Sequence, residues 1–201
     1  MAVALALVAM VGAVSAVTQT WYLSSDTTTG GNIMYRGDQS GATGNVQIEK
    51  GGSVIWLANE NATVDLTFPV GDWSVTTQKS SATGSGEGVA FTASIGVYNA
   101  TTTFSPKGSV SGSLSTSSQT FTIKDASSFT VHTGEWLALQ ITNTETRQGN
   151  RKFNIVTSAS ASYVTQPETT FTYPIPELAT IVLFGAGLLA LVGYIAYRKR
   201  S

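Results

Sequence analysis

One imidazole, His132, and no cysteine stand in a chain of 201 residues, so proton relays and nucleophilic chemistry have few places to form. A Ser-His-Asp relay needs an imidazole between a hydroxyl and a carboxylate, and only His132 can supply it. The strained G-x-S-x-G elbow that exposes a nucleophilic serine does not occur; Gly84-Ser85-Gly86 lies in the run from Ser80 to Gly88 with the wrong spacing. His132 therefore reads as a turn residue. Glycoside hydrolysis needs two carboxyl groups flanking one bond, and Glu49, Glu60, Asp65, Asp72 and Glu135 are available. Acids at strand ends, however, ordinarily bond the local backbone of turns. Asp38, Asp65 and Asp125 are too scattered for a calcium loop, and the absence of cysteine excludes thiolate metal sites and disulfides. No catalytic, cofactor-binding or metal-ligating residue is assigned, no cofactor is expected, and the chain is expected not to be an enzyme.

Other motifs point outward. Asn61-Ala62-Thr63 and Asn99-Ala100-Thr101 are N-glycosylation sequons beside expected strands. Arg36-Gly37-Asp38 matches a tripeptide read by adhesion receptors, although glycine between charged residues is also an ordinary hairpin tip. Trp21, Tyr22, Trp56, Trp73, Tyr98 and Trp136 are the aromatics from which a platform for sugar rings would be built.

The elements that must position these residues are strands. Between Thr18 and Val164 no helical period is sustained, whereas alternation of β-branched and aromatic residues recurs between Gly, Ser, Asn and Asp breaks. The expected segments are 20–23, 32–35, 45–49, 53–57, 64–68, 72–77, 88–98, 103–104, 109–114, 119–123, 136–142 and 153–164. Such spacing predicts an all-β fold, a single antiparallel β-sandwich of jelly-roll type. One phrase occurs twice: Phe68 to Thr76 and Val131 to Leu139 each run apolar residue, Gly, acid, Trp, then alternation. The two are expected to form equivalent corners in opposing sheets.

Composition sets the surroundings. Charged residues make up 11% of the chain, with 11 Lys and Arg against 12 Asp and Glu, where about 25% is usual for soluble domains. Solubility must rest on hydroxyls and amides, and no basic field exists to hold nucleic acid.

The ends carry addresses. Residues 1–16 are small and apolar and close on Val14-Ser15-Ala16, which reads as a secretory signal peptide. Residues 17–163 form the expected β ectodomain, and 164–177 a Pro/Thr stalk. Residues 178–197 contain no charge, enough at about 1.5 Å per residue to span the roughly 30 Å hydrocarbon layer as a transmembrane helix. Arg198, Lys199 and Arg200 follow in the tail 198–201, and their positive charge anchors the topology with the C-terminus cytoplasmic and the ectodomain outside.

Pro174, Pro176, Glu177 and Leu178, then the apolar span and the basic cluster, resemble the tripartite sorting signals of archaeal cell-surface proteins, the PEF-CTERM and PIP-CTERM types. Leu178 stands where the PEF pattern has Phe, and Pro174-Ile175-Pro176 suits the PIP variant. The resemblance covers about the last thirty residues. It implies an archaeosortase-type processing enzyme as partner, one that removes the helix and passes the ectodomain to another anchor. Taken together, the sequence predicts an exported cell-surface structural or interaction protein, membrane-anchored or sortase-processed. Its expected partners are the lipid bilayer and either surface glycans or further copies of itself. The alternative is a surface carbohydrate-binding module or receptor.

Overall fold

The computed structural model describes residues 18–37, 41–80, 88–101, 103–149, 151–158 and 161–169. The expected signal at 1–16, the expected sorting motif at Pro174, Pro176, Glu177 and Leu178, the expected span 178–197 and the expected anchor Arg198, Lys199 and Arg200 lie outside them. Among the described residues no helix is long and apolar enough to cross a membrane.

The described chain is all-β. Its strands are β1 (Thr20–Thr28), β2 (Gly31–Arg36), β3 (Gly44–Ile48), β4 (Ser53–Ala58), β5 (Leu66–Phe68), β6 (Gly71–Thr77) and β7 (Val89–Asn99). They continue with β8 (Thr103–Leu114), β9 (Gln119–Ala126), β10 (Phe129–Val131), β11 (Trp136–Asn143), β12 (Phe153–Thr157) and β13 (Tyr163–Thr165). Nine form one sheet in the order β8-β7-β11-β4-β2-β1-β13-β6-β9, and β5–β10 and β3–β12 form two-stranded ribbons.

The sheet is built from alternation. In β7, Phe91, Ala93, Ile95 and Val97 face inward; β11 sets Leu137 opposite Val97, Leu139 opposite Ile95 and Ile141 opposite Ala93. Polar Ser94 and Thr92 pair with Gln140 and Thr142 on the other face. The inward row continues around the far half, with Trp21 opposite Val164, Val164 opposite Val75 and Trp73 opposite Ile123. Burying such rows contributes about 1.5–3 kcal/mol per large apolar side chain.

The edge strands β8 and β9 lie against each other, so the sheet is nearly closed. Glycines make that approach. A Cβ on Gly112 would stand 2.5 Å from Phe121 Cε1, and one on Gly108 would stand 2.8 Å from both Ala126 Cβ and Ile123 Cγ2. Phe121 meets Phe91 edge-on across Gly112, with centroids 4.8 Å apart.

Among the departures from the expected pattern, three reshape the sheet. The pair β2–β4 is parallel, because β3, which an antiparallel meander would place between them, leaves to pair with β12. The single strand expected at 153–164 is two strands, β12 and β13, in different sheets. The sheet also takes in Val164 and Thr165 at the start of the expected stalk, and Gln166 and Thr169 are buried beyond them.

The repeated phrases lead into β6 and β11, which belong to one sheet rather than to opposing sheets, and the ribbon β5–β10 brings their leading segments together, Phe68 opposite Phe129 and Leu66 opposite Val131. Phe68 and Phe129 stack 5.1 Å apart and both pack on Trp73, which stacks on Trp21 at 6.3 Å. The glycines differ. Gly134 has φ 86°, the left-handed turn that the phrase predicts, whereas Gly71 is set by close packing, since a Cβ there would lie 2.7 Å from Pro167 Cβ.

Candidate functional site

One set of polar groups converges at one end of the rolled sheet, around the turn between β10 and β11. Asp65, in the loop before β5, reaches across to that turn. Its Oδ1 accepts from the backbone N–H of Thr133 at 2.9 Å and from Thr133 Oγ1 at 3.2 Å, and its Oδ2 lies 2.9 Å from His132 Nδ1. The hydrogen bond that His132 makes to Asp65 holds its imidazole above the ordinary value of 6.5. That same bond, with the Thr133 N–H, lowers Asp65 from 3.8. Both side chains are more than half exposed, at 62% and 59%, so solvent screens the pair and its strength is that of a surface ion pair.

Glu135 closes the turn from within. Its Oε2 accepts from His132 N–H at 2.9 Å and its Oε1 from Asn99 Nδ2 at 3.0 Å. Asn99 Oδ1 in turn accepts from the backbone N–H of Thr101 at 2.9 Å and from Thr101 Oγ1 at 2.7 Å, an Asx turn that begins the β7–β8 hairpin. Just beyond it Thr103 is held at φ 72°. A β-branched residue there carries strain of order 1–3 kcal/mol, and such strain gathers at functional sites. An open cleft of about 170 Å³ lies between these elements, with Val97 among its lining and Asn99, Ser105, Lys107, His132 and Glu135 around it.

The other sequence candidates are distributed elsewhere. Asp72 bonds the N–H of Asp125 at 2.9 Å and lies 3.9 Å from Lys124; Glu49 accepts from Gln47 at 2.5 Å. Asp38 and Ser85 fall outside the described residues. His132 is paired with a carboxylate but with no hydroxyl nucleophile among the described residues. Of the sequons, Asn61 is exposed, its neighbour Ala62 pinned by bonds of 2.8 Å to Glu135 O and from Gly134 N. Asn99 instead has its amide within the turn network. Among the aromatics, Trp21, Trp56 and Trp73 are fully buried, and Trp56 Nε1 donates to Ser24 O at 3.0 Å. Tyr98 and Trp136 remain half-buried but meet edge-on at 65°, and Tyr22 and Tyr163 tilt at 58°, so neither pair forms a flat platform.

Sequence reading located the turn at His132 and Glu135 but not the assembly, since Asp65 is 67 residues away from His132. The residue it passed over altogether is Lys107. Its only signal is a lone cation in the Ser- and Gly-rich stretch from Ser105 to Ser118.

No protein-family model and no curated protein matches the chain. Solved structures are similar in fold. A CocE/NonD family hydrolase from Staphylococcus aureus aligns over 77% of this chain and 37% of its own, with TM-score 0.58 and 10% identity. An alpha-amino acid ester hydrolase labelled with selenomethionine aligns over 75% of this chain and 36% of its own, with TM-score 0.55 and 12% identity. The chain thus spans well under half the length of these proteins. At such identity the likeness concerns the fold alone.

Proposed function

We propose that the chain is an exported cell-surface structural or interaction protein, held in the membrane by residues 178–197 or passed to another anchor by an archaeosortase-type enzyme, and that its nearly closed sheet is a flattened β-sandwich of jelly-roll type. The observation that carries the reading is the order of addresses in the sequence: an apolar leader, a Pro-Glu motif, an uncharged span and a terminal Arg-Lys-Arg. The outer surface of β8 supports it, because Ser109, Ser111 and Ser113 present hydroxyls where a cytoplasmic domain usually carries charge. A sheet whose two edges lie together also presents little free edge for aggregation when displayed at high density. Recognition of other surface components, glycans or copies of the chain, falls to the loops and the cleft, since the core Trp residues are enclosed.

Intact mass of the protein from its native envelope, with protease added to whole cells, tests this. The expected mass lacks residues 1–16, reports whether the span is retained or removed, and includes any sugar; the ectodomain is expected to be digested from outside. Retention of the leader together with full protection in intact cells rejects the reading.

A further inference from the structure

The cleft beside His132 separates polar groups that the protein already uses from groups that it leaves open. Both Glu135 oxygens accept backbone or amide N–H groups, Asn99 Oδ1 accepts twice from Thr101, and both Asp65 oxygens serve the 132–133 turn. The acceptors are therefore largely committed. The donors are not. Lys107 and Ser105 line the cleft, their Nζ and Oγ have no hydrogen-bond or ion-pair partner among the described residues, and the His132 ring, bonded to Asp65 through Nδ1, keeps its Nε2 unbonded. Asp65 favours the doubly protonated ring, in which Nε2–H also donates. The charged groups around it are Asp65, which pairs with it, Lys107, and Glu135, whose charge is shared with two N–H donors.

An ammonium, a hydroxyl and an imidazole around one small space make a receptor for a compact planar acceptor. A volume of about 170 Å³ holds roughly five or six waters at about 30 Å³ each, the size of one sugar ring or a smaller acid. We propose that this cleft binds a small organic carboxylate, with Lys107 Nζ, Ser105 Oγ and the His132 ring as its donors. The inference stands apart from where the chain resides and needs only the folded sheet.

Ligand-observed NMR titration of the purified full chain in mild detergent tests it, with acetate, D-glucuronate and neutral D-glucose as probes. Glucuronate is expected to bind and glucose not; binding of acetate alone identifies a free small acid as the ligand source, and preference for glucuronate identifies an acidic sugar. Lys107→Met is expected to weaken carboxylate binding by about tenfold or more, the loss of one charge-assisted hydrogen bond, while Lys107→Arg keeps the charge and most of the affinity. Equal binding of glucose overturns the proposal. So does absence of carboxylate binding in the wild type, or unchanged affinity in a Lys107→Met chain that melts like the wild type.

Discussion

At the scale of single residues, a carboxylate and an imidazole show how placement sets responses to pH in opposite regions. Glu145 has a side chain only 2% exposed beside an Arg147 that is 51% exposed. It accepts from Arg147 Nε at 2.8 Å and from the N–H of Arg147 at 2.9 Å, and pairs with Arg147 Nη2, which also reaches Gly88 O. These bonds, the Arg147 side chain first, hold Glu145 at about 2 against an ordinary 4.5. A carboxyl lowered in the folded state stabilises the fold fully above its unfolded value and loses that contribution as pH falls through its folded one. Glu145→Gln is thus expected to melt below the wild type by a constant gap above pH 4.5, a gap that closes toward pH 2. Melting curves by circular dichroism check this, and a gap that widens on acidification contradicts it. His132, raised above 6.5 by Asp65, runs the other way. Its contribution is full below pH 6.5, as long as Asp65 stays ionised, and fades as pH rises through the raised value. The melting deficit of His132→Ala should therefore shrink on the alkaline side, whereas a deficit independent of pH from 5 to 9 would show the pair to be inert.

Strands, by contrast, depend on what lies across from them. At the β8–β9 seam, Gly112 does not occupy a left-handed conformation; its need is room, since Phe121 Cε1 would meet its Cβ at 2.5 Å and Phe91 Cε1 at 3.0 Å. Gly112→Val is expected to destabilise by about 1–3 kcal/mol, the usual cost of overpacking, read as a lowered urea midpoint. Phe121→Leu added to it should recover part of the loss, and a double variant worse than the sum of the singles would place the strain elsewhere. The same seam marks the limit of what the sequence disclosed. Alternation made β7 readable because one of its faces lies in the core, and β4 and β11 were readable as short apolar runs. The three-residue β10 was missed because Phe129-Thr130-Val131 is too short to show a period and becomes a strand only by pairing with β5. The closed edge was hidden for a related reason: a strand was expected at 109–114, but nothing in its Gly- and Ser-rich sequence sets Phe121 against Gly112. At the cleft, Glu135 and Asn99 were visible as a turn acid and a sequon. Their shared hydrogen bond depends on the β7–β11 register, which sets Trp136 opposite Tyr98, and local pattern carries no such information.

For the whole molecule, the decisive strand is the last and among the shortest. β13 stands between β1 and β6, and so joins the half of the sheet that includes β7 and β11 to the half that includes β9. Val164 is fully buried between Trp21 and Val75. Gln166 N–H bonds Gln19 O at 3.0 Å, and Gln166 Nε2 donates to Thr169 Oγ1 at 2.8 Å, so the order extends four residues past the strand. Burial of Val164 alone is worth about 1.5–3 kcal/mol, and the ladder bonds on both sides come with it. A domain of this kind has only about 5–15 kcal/mol in total, and the loss falls in the middle of the sheet, where it leaves two open edges. A chain ended after Tyr163 is therefore expected to lose its cooperative unfolding transition, while one ended after Thr169 should melt within a few degrees of the full chain. Thermal unfolding of the two truncations, both begun at the same residue, checks this directly. On the proposed reading, a cleavage that releases the folded sheet is expected beyond Thr169, where the proposed motif around Pro174 and Pro176 lies. Were the shorter chain to melt as the longer one does, β13 would be an ornament on a sheet closed by other means.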